Sequence, residues 1–165
     1  MQHIIAEDLE ALSELARGAE RRRKNLNLHP SHDDPVQRFL NALEPGTYVR
    51  PHRHADPGRW ELLVHLRGRA VVLAFDGEGV VVERRELSSA APVIEIPAGT
   101  WHTVAALESG TVLFEVKQGP YVPATPGEFA PWAPTEGSAE TGVLEQWFRD
   151  ARTGECAERQ RIERL

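Results

Sequence analysis

The sequence predicts an all-β fold, a sandwich or barrel with one helix ahead of it and a short helical segment behind it. Three observations carry this. Between Val36 and Lys117 the chain runs through short segments rich in β-branched and aromatic residues, turn signals separate them at regular intervals, and the apolar period changes from helical to strand-like near Val36. A chain of 165 residues, 41% apolar, is long enough for one domain with a real core and too short for two comfortable ones.

From Glu7 to about Arg22, Leu9, Leu12, Leu15, Ala16 and Ala19 recur at helical spacing among Glu and Arg, which predicts one amphipathic helix lying on the body. Pro30 and Pro35 stop any helix, and Ser31 to Asp34 between them is loop material. Strands are expected at about Val36–Leu43, Thr47–His54, Trp60–Leu66, Ala70–Phe75, Val80–Leu87, Val93–Ile96, Trp101–Leu107 and Thr111–Lys117. Glu44-Pro45-Gly46, Arg67-Gly68, Asp76-Gly77-Glu78-Gly79, Pro97-Ala98-Gly99 and Glu108-Ser109-Gly110 supply the reversals, because Pro fixes φ and Gly tolerates positive φ. Beyond Gly119 a Pro-rich stretch through Pro134 reads as an ordered strap, Val143–Arg152 as a short closing helix, and Glu155–Leu165 as a frayed tail or surface helix. The expected organisation is a helical segment over 1–24, a β domain over 25–136, and a helical segment with a charged tail over 137–165.

Several classes fall away. A formal charge of −6 gives no general attraction to nucleic acid or to an anionic membrane, and the run Arg21-Arg22-Arg23-Lys24 reads as a solvated helix end. No stretch approaches the ~18 apolar residues of a membrane span. The first residues lack the basic-then-apolar order of a signal peptide, so a cytoplasmic protein is expected. The one cysteine, Cys156, excludes an intramolecular disulfide and a cysteine zinc cluster. No nucleophile elbow, phosphate-binding loop or dinucleotide fingerprint is present.

One constellation carries chemistry. His52 and His54 are two apart, so in an extended strand both project from one side and can chelate one ion together. Glu61 opens a following strand, and His102 opens another just after the Pro97-Ala98-Gly99 turn. Three neutral imidazoles and one carboxylate leave open positions on a six-coordinate divalent ion. The expected cofactor is therefore one divalent metal ion, with iron, manganese, nickel and zinc all admissible. Asp56 and His65 are alternatives to Glu61 as the fourth ligand.

At these residues the sequence resembles the cupin superfamily. Gly46, His52, His54, Glu61 and Gly68 follow its first motif, with a gap of six residues between His54 and Glu61 that is longer than the family norm; Pro97-Ala98-Gly99-Thr100-Trp101-His102 follows the core of its second. The resemblance implies a jelly-roll β-sandwich or barrel. Over roughly Arg22 to Glu136 the longer pattern is similar to the WbuC family of cupin-fold metalloproteins, found with bacterial surface-polysaccharide genes. It rests on Asn25-Leu26-Asn27-Leu28-His29, Asp34 to Leu43, Pro51 to His54, Phe114 to Tyr121 and Phe129 to Glu136. That likeness implies fold and metal more firmly than a reaction.

Around the metal, Tyr48 and Arg50 share the parity of His52 and so enter the same cavity if the strand is regular. An inward Arg is costly unless it meets an anion, so Arg50 either grips a ligand carboxylate or phosphate or pairs with an internal acid such as Glu115. Lys117 and Tyr121 are candidates at the barrel mouth, with surface pairing and edge packing as the ordinary alternatives. Asn25, Asn27 and His29 alternate along an extended segment and either line a pocket or satisfy backbone at a strand edge. Tyr48, Arg50 and His65 are the candidate catalytic groups beside the metal. Trp60 and Trp101 have the opposite parity to Glu61 and His102 and are expected outside the barrel, under the N-terminal helix or a partner subunit; Trp132 and Trp147 are expected to anchor the strap. The reading is a metal-dependent enzyme, an isomerase, epimerase or oxygenase, acting on a small anionic sugar-derived ligand. The alternative is a non-catalytic module binding a sugar acid or a metal. Apolar residues on both faces of Trp60–Leu66 add a homodimer to the expectation.

Overall fold

The computed structural model describes residues 1–158 and 160. Eight strands form two antiparallel sheets: β1 (Arg23–Asn27), β2 (Val36–Leu43), β3 (Glu61–Arg67), β4 (Ala70–Phe75), β5 (Val81–Leu87), β6 (Val93–Ile96), β7 (Trp101–Ala106) and β8 (Thr111–Gln118). One sheet has five strands in the order β1-β2-β8-β3-β6 and the other three in the order β5-β4-β7. Leu43, Leu63 and Leu113 of the first meet Val72, Leu87 and Val104 of the second, so the two inner faces share one apolar core. This is the all-β sandwich that the alternating runs predict, with a helix at each end of the chain.

Each outer face has its own cover. The helix α1 (Ala6–Gly18) lays Leu12 and Ala16 on Leu40, Ala42 and Val112 of the five-stranded sheet. Its first turn is held by the Asp8 carboxylate, which accepts the Ile5 N–H at 3.0 Å. Across the molecule, the helix α2 (Thr141–Asp150) and the strap before it bury Trp132, Leu144, Trp147 and Phe148 against Val71, Leu73 and Phe75. Glu44, in the first predicted turn, is buried and accepts the Ser109 hydroxyl at 2.6 Å and the Gly110 N–H at 2.8 Å, tying two turns together.

Four expectations are corrected. The N-terminal helix ends at Gly18 rather than near Arg22, and Arg23 and Lys24 open β1 instead. Asn25↔Asn41 and Asn27↔Phe39 pairing with β2 prevails where the apolar period runs out. Thr47–His54 is not a regular strand; only His52 makes β-bridges, to His102 and Phe129. Pro45 and Pro51 have no N–H to offer a ladder, and side chains serve the carbonyls between them: Arg23 donates to Tyr48 at 2.7 Å and Thr103 to Val49 at 2.6 Å. Trp101 packs under the strap and α2, not under α1, while Trp60 stays 38% exposed. The tail is pinned at its start, where Glu155 accepts the Trp147 indole N–H at 3.0 Å and Ala157 is fully buried. The rest of the Glu155–Leu165 expectation lies largely outside the described residues.

Candidate metal centre

Backbone pairing brings the imidazoles together. His52 donates its N–H to the His102 carbonyl at 3.0 Å and His102 returns the bond at 2.8 Å. Residues paired in this way project to one face, and the two rings sit 4.5 Å apart. His54, two residues on, shares that face; its carbonyl accepts the Gly99 N–H at 2.8 Å. Gly99 takes a φ of +81° there, a conformation Gly adopts without cost. The fourth group arrives from the opposite sheet, where Glu61 opens β3. One ligand atom from each of His52, His54, Glu61 and His102 can be chosen so that all lie within 4.8 Å of one another.

The donor set fits a divalent ion. His52 Nδ1 lies 3.0 Å from the Arg50 carbonyl and His102 Nδ1 2.9 Å from that of Thr100. A carbonyl only accepts, so both Nδ1 atoms carry protons and the Nε2 atoms are the ones that ligate. The Glu61 carboxylate touches His54 Nε2 at 2.7 Å and His102 Nε2 at 3.1 Å, so one carboxylate already addresses two of the three ring nitrogens. Three imidazoles and a carboxylate suit a borderline first-row ion.

Charge is arranged in a chain across β3 and β8. Glu61 is the register partner of Lys117, which places both side chains on the inner face, and the ammonium meets Glu61 at 3.0 Å and Glu115 at 2.9 Å. Burial would raise Glu61, but Lys117 and the two imidazoles overcome it and hold the carboxyl well below its usual range. Burial pushes Glu115 up despite Lys117. Burial would also lower Lys117, yet Glu115 and Glu61 hold it above the ordinary amine range. His52 is pushed down to about 3, first by burial and then by His102 beside it, so it is neutral and ready to ligate.

The tetrad opens into two cavities. An inner one of about 170 Å³ is lined by His52, Glu61, His102, Asn25, Asn41 and Lys117. An outer one of about 350 Å³ is lined by His52, His54, Arg50, Arg59, Lys117 and Phe129, among others. Arg50 stands in the outer cavity with its guanidinium 4.8 Å over the Phe129 ring, its Nε buried without a hydrogen-bond partner, and no ion pair among the described residues. Glu115, the internal acid weighed as its partner, is taken by Lys117. Asn25 lines the inner cavity, Tyr121 the outer one, and Asn27 a neighbouring groove.

Two candidate catalytic residues lie elsewhere. Tyr48 faces the opposite way, stacked on Phe148 with its hydroxyl donating to the Pro134 carbonyl at 3.0 Å, because the irregular backbone between Pro45 and Pro51 breaks the parity that linked it to His52. His65 is at the far end of β3, bonded through Nε2 to the Gly68 carbonyl at 2.8 Å, and lines neither cavity. Asp56, weighed as a substitute ligand, caps the Gly58 N–H at 2.9 Å in an exposed turn. Asn41 and Phe129 were missed. The alternation Gln37, Phe39, Asn41 along β2 carried a signal for the first, since two polar residues there share an inner face.

Comparison with known proteins adds the following. No curated protein matches the chain. Among solved structures it is similar to KdgF from Halomonas sp., at 20% identity and a TM-score of 0.47, over 61% of this chain and 82% of that one. It is similar to a cupin superfamily protein from Desulfitobacterium hafniense DCB-2, at 21% identity and a TM-score of 0.49, over 65% and 86%. An oxalate decarboxylase variant from Bacillus subtilis matches at 18% identity and a TM-score of 0.49, over 67% of this chain but 28% of that one. At these identities and scores the likenesses add nothing to what strand order and register already show. Residues 4–87 match the model described as Domain of unknown function (DUF6016), and the chain belongs to that family.

Proposed function

We propose that this chain is a cupin that holds one divalent metal on His52, His54, Glu61 and His102 and acts on a small anionic, sugar-derived ligand as an isomerase, epimerase or oxygenase of surface-polysaccharide metabolism. The single observation that carries the reading is the juxtaposition of that tetrad with Arg50, a guanidinium in the same cavity without an acid partner among the described residues. A bound ion supplies Lewis acidity toward a carbonyl or hydroxyl oxygen. Arg50 grips the carboxylate or phosphate of the ligand through two parallel N–H bonds, and Phe129 beneath it fixes the plane of the grip. Lys117 adds a second positive charge at the inner wall. The setting in polysaccharide metabolism, and the closer kinship to the WbuC family, rest on the sequence motifs alone.

A second reading, a non-catalytic module for a sugar acid, is favoured by one specific finding: Tyr48 and His65, two candidate proton-transfer groups, lie outside the cavity. The enzyme reading then leaves Glu61 and Lys117 to handle protons.

Untagged protein analysed for bound metals beside His52→Ala/His54→Ala tests both. Near-stoichiometric metal in the parent, lost in the variant, supports the site. No metal in either form after reconstitution sinks the reading. Thermal-shift assays with uronates then separate ligand binding from metal binding: Arg50→Gln abolishes the shift while metal content stays unchanged.

A further inference from the structure

The two sheets are unequal, and the difference leaves part of an inner face uncovered. Register places Asn27, Phe39, Glu115 and Leu63 side by side across β1, β2, β8 and β3, and Asn25 beside Asn41 one level deeper. The three-stranded sheet packs on Leu43, Leu63, Leu113 and Ile96, and among the described residues none of β1 belongs to that core cluster. Where a fourth opposing strand would demand apolar residues, β1 carries exposed amides, Asn25 and Asn27. The result is a groove of about 460 Å³, lined by Asn25, Asn27, His29, Phe39, Lys117 and Tyr121 among others, which meets the inner metal cavity at Asn25, Phe39 and Lys117.

One wall of this groove holds an unpartnered imidazole nitrogen. His29 Nδ1 lies 3.0 Å from the Arg38 backbone N–H and 2.9 Å from the Arg38 carbonyl, so the Arg38 backbone occupies Nδ1 in either tautomer. His29 is 7% exposed and its Nε2 has no hydrogen-bond partner among the described residues. A strand-edge role accounts for Nδ1 alone; a buried Nε2 lacking a partner calls for a hydrogen-bonding group from outside the chain, and a hydroxyl serves as donor or acceptor alike. Tyr121, its ring tilted against that of His32 at 5.0 Å, supplies an aromatic face at the mouth. Planar amides, a buried imidazole nitrogen and an aromatic face complement a ring bearing hydroxyls on its edge and C–H groups on its face.

We propose that this groove is a second sugar subsite, so that the ligand is a chain of at least two sugar units, with the anionic unit at the metal cavity and its neighbour over β1. The inference rests on the reading of the metal cavity as a sugar-acid site and deepens it. Lys117 is the junction between the two subsites, and Asn27 and His29 belong to the second alone.

Calorimetric titration of the protein, its metal content measured, with galacturonate, glucuronate and mannuronate and with the homodimer of each tests the inference. The expected result is a dimer bound ~10-fold or more tightly than its monomer, the gain of a few added hydrogen bonds and one ring contact. In 15N-labelled protein the amide signals of Asn27 and His29 shift with the dimer and not with the monomer. Asn27→Ala and Tyr121→Ala each bring the ratio of dimer to monomer affinity toward one, with metal content and unfolding midpoint unchanged. Monomer binding with no gain for the dimer, or a gain that survives both substitutions, overturns the second subsite and leaves the metal-cavity reading standing. Failure of monomers and dimers alike overturns both, and metal content then shows whether the metal centre itself survives.

Discussion

Lys117 carries more of the site than any other single side chain outside the tetrad, because it is the cation between two buried carboxylates. Removing one partner of a buried charge group costs far more than the group contributes, since the remaining charges stay out of water uncompensated. Lys117→Met therefore lowers the stability of the metal-free protein by about 3–5 kcal/mol in urea unfolding. Saturating divalent metal recovers part of that loss, because positive charge returns to Glu61; equal losses with and without metal would show that Lys117 and the metal do not share the carboxylate. The tetrad was legible in the sequence since its logic is local: parity joins His52 to His54, and short turns deliver Glu61 and His102. Tyr48 was not legible, because parity holds only while the backbone is extended, and Pro45 and Pro51 end that. Lys117 was readable as a mouth residue, but its pairing with Glu61 depends on the register of β3 against β8, which no local pattern encodes.

The elements divide along the same line. Val36–Leu43 and Val93–Ile96 appear with their expected ends, because apolar alternation bounded by Gly and Pro fixes them locally. β1 was read as extended but not as a strand: Arg23–Asn27 has one apolar residue, and it is held by its pairing with β2 rather than by burial. The cover on the three-stranded sheet depends on α2 in a way the sequence did show, through Trp132 and Trp147 as anchors. Phe148, 1% exposed, wedges between Tyr48, Phe75 and Trp147 at ring separations of 5.7 to 6.0 Å. Phe148→Ala costs about 3–5 kcal/mol, from lost transfer energy plus the cavity left among aromatic neighbours. A chemical denaturation curve shifted to lower midpoint with an unchanged slope checks this; a loss below about 1 kcal/mol would mean that α2 relaxes to fill the space.

At the scale of the whole molecule, two properties follow from what is covered and what is charged. Because α1 lies over β2 and β8, it leaves the outer face of β3 and β6 bare, with Trp60 38%, Leu66 39% and Val93 56% exposed. A second copy of the chain is the expected cover. Light scattering after size exclusion should give twice the chain mass, and Leu66→Glu/Val93→Glu the single-chain mass; a parent of single-chain mass would count against the dimer.

Three groups at the metal centre shape the pH dependence of the metal-free protein, with opposing signs. His52 has a folded value of about 3 against an ordinary 6.5, so below 6.5 the unfolded chain takes up a proton that the native protein refuses, and stability falls as pH drops from 6.5 toward 3. Glu61, held well below 4.5, adds stability above that value that is lost as pH falls through its lowered folded value. His102 works the other way. Burial pulls it down, but its bond to Glu61 raises it overall, so its contribution is full below 6.5 and fades as pH rises through its raised value. His52 thus acts from pH 6.5 downward and Glu61 below 4.5, whereas His102 acts only above 6.5. In chelator, the unfolding midpoint should fall steadily from pH 6.5 to pH 4. His52→Asn removes the first term while keeping an N–H for the Arg50 carbonyl, so its midpoint should fall less over that interval. A variant that loses stability in parallel with the parent would place the acid sensitivity on groups other than His52. With metal present the limb should steepen and shift to higher pH, since protons and the ion then compete for the same ring nitrogens.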